Sequence, residues 1–237
     1  MKQIFIVFSL FFSGLLSYSQ SFVIEYNHFI SFPTNSTEAV YRLETNGGKS
    51  VYYQVKSDFT EKEGNEVLQA NEGVIPFVSK DFSTKETIYN QPIINSVKFI
   101  KDKLPMQVWS LKKESKKIKN FTCKKATTSF RGRNYTAWYT EEFSIIGGPW
   151  KFEGLPGLIL SIVSDDGVLT IEATKIETKT NLELAKFDLE NQKPITWKDY
   201  CVKYKKVIQR IRKNMQADAD YDVEFDMNIN LVEDIGL

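Results

Sequence analysis

One histidine, His28, and two cysteines, Cys123 and Cys201, are all that this 237-residue sequence offers of the two most versatile catalytic and metal-ligating side chains. No GxSxG elbow, CxxC pair or Cys/His metal spacing is present, so nucleophilic triads and structural zinc have no signature here. His28, on an extended apolar segment with no partner motif, reads as an ordinary structural histidine. Charge of one sign is lacking too: 31 basic face 30 acidic side chains, which gives no global field for nucleic acid or an acidic membrane. Carboxylate pairs exist at Glu141–Glu142 and Asp165–Asp166. Adjacent residues on a strand point to opposite faces, so neither pair suits paired acid–base work. From these absences no catalytic residue, metal or cofactor is expected.

Long apolar runs are missing beyond the start of the chain. Lys2 followed by the apolar stretch Ile4 to Leu16, with Ser17 and Ser19 behind it, has the form of a secretory leader and is too short to span a bilayer comfortably. Cleavage after Ser19 is expected, leaving residues 20–237 as a single domain in the periplasm, at the outer membrane or secreted, without a transmembrane anchor. In such a compartment Cys123 and Cys201 are a possible disulfide closing a long loop. Two buried thiols fit the sequence as well.

Period-2 alternation dominates what is there. Strands are predicted near Phe22 to Ile30, Val97 to Lys101, Gln107 to Lys113, Thr122 to Phe130 and Tyr135 to Tyr139. Asn46-Gly47-Gly48 marks a hairpin between Ala39–Leu43 and Val51–Val55, and Arg131 to Asn134 marks another turn. The polar stretch Asp58 to Gly73 reads as a loop. Thr196-x-x-Asp199 is a capping box opening an amphipathic helix with Trp197, Tyr200, Tyr204 and Ile208 on one face and lysines on the other. Residues Ala219 to Leu231 alternate apolar with acidic side chains, as an edge strand kept soluble by charge does. Asp218, Asp220 and Asp222 lack the Gly and Glu that a calcium loop needs. The fold class is mainly β (α+β), a curved antiparallel sheet with a C-terminal amphipathic helix.

The densest Gly/Pro stretch is Gly147 to Leu160, GGPWKFEGLPGLIL. Gly148-Pro149 starts an extended segment with Trp150 and Phe152 on one face. Leu155-Pro156-Gly157-Leu158 has Pro and Gly where a type II turn wants them. The spacing matches no phosphate-binding loop, and strand rather than helix follows. A structural corner accounts for Gly148, Pro149, Gly154, Leu155, Pro156, Gly157, Leu158 and Ile159. Hairpin residues Asp165-Asp166-Gly167 come next.

The hexapeptide Gly154 to Ile159, with Ala137–Thr140, Gly148–Phe152, Cys123–Ala126 and Gly132-Arg133 upstream, resembles the GLPGLI family. That resemblance implies an exported protein of Gram-negative bacteria of the Bacteroidetes type, with no established activity. Its strand-rich layout looks like the half-barrels of lipoprotein carriers. Aromatic content is high, 17 Phe, 11 Tyr and 4 Trp. Trp109, Trp138, Trp150 and Phe152 are the candidates for lining a cavity inside the sheet. The expectation is a non-enzymatic envelope protein that binds lipid or another apolar ligand. The alternative is an interaction partner of an outer-membrane assembly, working through a sheet edge.

Overall fold

A computed structural model describes residues 21–60, 74–94, 96–103, 107–145, 147–189, 191–218 and 231–235. The expected leader at 1–19, most of the polar stretch 58–73 and nearly all of the expected edge strand 219–231 lie outside the described residues. The strands are β1 (Ser21–Ser31), β2 (Ser36–Thr45), β3 (Lys49–Thr60), β4 (Phe77–Asp81), β5 (Glu86–Ile93) and β6 (Ser96–Asp102), then β7 (Ser110–Ile118), β8 (Phe121–Phe130), β9 (Arg133–Thr140), β10 (Leu158–Ser164) and β11 (Leu169–Lys179). A helix, α1 (Trp197–Asp218), follows.

All these strands form one 11-stranded sheet in the order β6-β5-β4-β3-β2-β1-β11-β10-β9-β8-β7. It is two meanders joined where β1 pairs antiparallel with β11. Neither edge closes onto the other. Curvature is nevertheless strong. Strand spacing alone would put β6 and β8 about 40 Å apart in a flat sheet. Instead Arg131, in the β8–β9 turn, meets Asp102 at the end of β6 at 2.6 Å. The wings therefore curl toward each other and enclose the core.

Alternation decides which side chains fill that concavity. Phe22, Ile24 and Tyr26 of β1, Tyr135, Ala137 and Tyr139 of β9, and Leu169 and Ile171 of β11 are all buried. Helix α1 begins with the expected cap: the Asp199 amide donates to Thr196 Oγ1 at 3.1 Å. Tyr200, Tyr204 and Ile208 face inward, and Tyr200 donates to the Pro92 carbonyl at 2.7 Å. The helix packs beside β6, and its lysines at 198, 203 and 206 are exposed. Among the described residues no helix is long and apolar enough to cross a membrane.

Several local expectations differ. Strands β4 and β5 escape the pattern because Lys80 and Pro92 interrupt their apolar alternation. Trp150 is not extended: its φ is 52°, a left-handed backbone that is uncommon for a bulky residue. Leu155 to Gly157 is tighter than a type II turn, with the Gly157 amide donating to the Leu155 carbonyl two residues back at 2.9 Å. Both cysteines are free. Cys123 lies near the start of β8, whereas Cys201 on α1 sits in the field of Arg131 beyond the strand's other end. An extended strand separates those ends by about 26 Å, far beyond disulfide reach.

Candidate functional site

The loop between β9 and β10 dives into the concavity and fills part of it. Phe152 is fully buried and meets the rings of Trp109, Phe130, Tyr135 and Trp150. Side chains from other elements hold the loop by its backbone. Lys80 Nζ donates to the Phe152 carbonyl at 2.8 Å, Gln107 Nε2 to the Lys151 carbonyl at 3.0 Å, and Trp109 Nε1 to the Glu153 carbonyl at 2.7 Å. The loop's amides are engaged as well, Phe152 with Pro149 and Glu153 with Gln107. Gly157 must be glycine, because a Cβ there would stand 2.1 Å from the Thr140 carbonyl oxygen at a φ of 141°. Its engaged amides and carbonyls tie the loop to the sheet as a structural corner.

Beside the loop is a cavity of about 310 Å³. His28, Tyr41, Tyr52, Phe77, Tyr89 and Trp150 bring rings to its wall, and Asn35, Asn90 and Gln91 bring amides. Tyr41 stacks on Tyr52 with centroids 4.9 Å apart, and His28 lies 4.8 Å from Tyr41. His28 Nδ1 and the Tyr52 hydroxyl are within hydrogen-bond distance at 3.1 Å. Burial lowers the His28 pKa to about 3, so the ring is neutral at physiological pH. Asn35, which lines the cavity, has a buried Oδ1 with no hydrogen-bond partner among the described residues, an unusual state for an acceptor. No carboxylate is among the described residues that line the cavity.

Behind one wall lies a buried charge cluster. Lys151 and Glu233 are each about 1% exposed and form an ion pair. Glu233 also pairs with Arg131, whose other nitrogen holds Asp102 at 2.6 Å. Gln91 bridges the pair, accepting from Lys151 at 3.2 Å and donating to Glu233 at 3.1 Å. Burial lowers Lys151 to about 8 against the opposing pull of Glu233. Burial alone would raise the Glu233 carboxyl, but Lys151 and Arg131 bring it below the usual carboxylate range. Held ionised between two cations, Glu233 is a poor proton donor and a weak base. Among the described residues no group of three His, Cys, Asp or Glu side chains gathers as metal ligands would.

The rings expected to line a cavity separate in this geometry. Trp150 does line it. Phe152 and Trp109 pack against each other as core. Trp138 sits on the opposite face, since Tyr135, Ala137 and Tyr139 take the inward positions of β9, and Lys116 lies 4.3 Å over its ring. Asn35, Tyr89, Gln91, Lys151 and Glu233 were invisible as site residues in the sequence. A lysine inside the apolar Gly/Pro stretch was the one available hint.

A family model described as "N-glycanase peptide, N-terminal domain" matches residues 65–199, more than half of the chain. No curated protein matches. Among solved structures the chain is similar to one titled "Structure of PNGF-II in C2 space group", with 20% identity and a TM-score of 0.52, covering 81% of this chain and 33% of that one. A second PNGF-II crystal form gives 19% identity and a TM-score of 0.48 over 81% and 34% of the two chains. An uncharacterized conserved protein from Thermus thermophilus gives 11% and 0.43 over 73% and 89%. The first likeness is one of fold, and the chain spans about a third of the PNGF-II chain's length. These findings correct two expectations. The GLPGLI resemblance rested on a short corner motif, whereas the matching family model covers over half of the chain. The expected non-enzymatic lipid carrier or outer-membrane partner gives way with it, because the matching model is described as the N-terminal domain of an N-glycanase. The chain belongs to the family described as N-glycanase peptide, N-terminal domain.

Proposed function

We propose that this chain works on N-linked glycoproteins and that its cavity seats a sugar of the glycan. The observation that carries the reading is the wall of rings and amides with the unpaired Asn35 acceptor, in a chain of an N-glycanase family. A sugar presents C–H faces that pack on rings and hydroxyl or amide groups that need partners, and Asn35 Oδ1 lacks a donor. Neutral His28 and the internally paired Lys151 favour an uncharged sugar over a phosphorylated one. Export through the leader at 1–19 would bring the chain to glycoproteins outside the cytoplasm, which N-terminal sequencing of the exported protein checks.

The test compares an N-glycopeptide with the same peptide lacking its glycan. Binding is followed by tryptophan emission and glycan release by mass spectrometry. The glycopeptide should bind saturably, the bare peptide should not, and Tyr41→Ala should erase the difference. Equal behaviour of the two peptides, with no glycan released, would refute the reading.

A further inference from the structure

The cation pair behind the cavity is built by elements remote from the carboxylate it holds. Arg131 stands in the tight β8–β9 turn and has partners besides Glu233: Asp102, the Tyr89 hydroxyl at 3.2 Å and the Trp197 ring at 3.8 Å. Lys151 likewise has Gln91 Oε1 at 3.2 Å and the Tyr89 ring at 3.9 Å besides Glu233. Glu233 arrives on a short strap, residues 231–235. Two carbonyls of that strap accept from Arg133, and the Asp234 amide donates to the Arg131 carbonyl at 2.9 Å. Without Glu233, the host would offer the Arg131 guanidinium, the Lys151 amino group and the Gln91 amide N–H as donors. That donor set is the one that recognises a carboxylate. It opens toward the cavity, because Tyr89, Gln91 and Lys151 line it and the strap's own Leu231 and Val232 complete the wall.

We propose that Lys151, Arg131 and Gln91 form a carboxylate-binding site at the cavity wall, and that Glu233 is its self-supplied occupant, exchangeable for the carboxylate of a ligand. The proposal concerns one wall of that cavity and does not depend on the glycan reading. Its test uses the full chain carrying Glu233→Ala, in sodium acetate against sodium chloride at equal ionic strength. In chloride the variant should melt about 10 °C below the parent, as a broken buried ion pair in a domain of this size does. Acetate should restore most of that loss saturably, while leaving the parent unmoved. Adding Lys151→Met to Glu233→Ala should abolish the recovery. Should the single variant fail to fold in chloride, refolding yield becomes the readout, and acetate should raise it. Acetate acting no better than chloride, or equally well on the double variant, would overturn the proposal.

Discussion

Two lysines are deeply buried among the described residues, and they hold different things. Lys80 and Lys151 are about 2% and 1% exposed, and burial lowers each to about 8 against the pull of a nearby glutamate. Lys80 holds the β9–β10 loop itself, through the Phe152 carbonyl at 2.8 Å and the Glu153 carboxylate at 3.4 Å. Lys151 is spent on a side chain delivered by the strap. The Phe152 carbonyl and Glu153 carboxylate cannot leave without refolding the loop that carries them, whereas a carboxylate on a short strap can be exchanged. The first lysine fixes the architecture, and the second marks a place where a ligand group can enter.

Variants can break this contrast in descending order of expected effect. Gly157→Ala should be the most damaging, because its Cβ meets the Thr140 carbonyl carbon and oxygen and Glu141 Cα at a positive φ. Loss of more than about 4 kcal/mol in urea unfolding, or no folded protein, is expected. Lys80→Met leaves the Phe152 carbonyl buried without its donor, at a cost of about 1–3 kcal/mol near neutral pH. Acetate should do nothing for this variant, in contrast to Glu233→Ala.

The same two lysines should make stability rise with pH. Their folded values of about 8 lie below the ordinary 10.5, so the unfolded chain holds the proton longer through that window. From pH 7.5 to 9.5 each should add about 2 kcal/mol, and Lys80→Met should remove its share of the slope. Chemical denaturation across that range reads the effect. Trp109→Phe, which keeps the ring contact with Phe152 and loses the bond to the Glu153 carbonyl, should cost about 1 kcal/mol. Asn35→Ala should leave stability nearly unchanged, because Asn35 Oδ1 has no partner to lose among the described residues.

The contrast also separates what sequence pattern reveals from what it conceals. Most strands, the Asp-Gly hairpin and the Thr196 cap follow from local periodicity and turn chemistry, and the structure has them. The need for Gly157 was legible as well, although its close neighbour Thr140 was not. Hidden were the contacts that curvature creates. Arg131 meets Asp102 and Glu233 because the wings of the sheet curl together, and no local pattern encodes that approach. Trp138 was misplaced for the converse reason: aromatic character was visible, but its face was set by the register of β9. Lys80 and Lys151 looked like surface residues, since hydropathy cannot flag a cation buried beside a carbonyl or a carboxylate.

The most direct test of the central claim, that the cavity seats a sugar of an N-linked glycan, is a calorimetric titration of an N-glycopeptide into the parent and Asn35→Ala side by side. The parent should bind saturably and the variant, equally stable, about tenfold more weakly, as expected for one lost hydrogen bond at a buried acceptor. Identical isotherms from the two proteins, or no heat of binding from either, would contradict it.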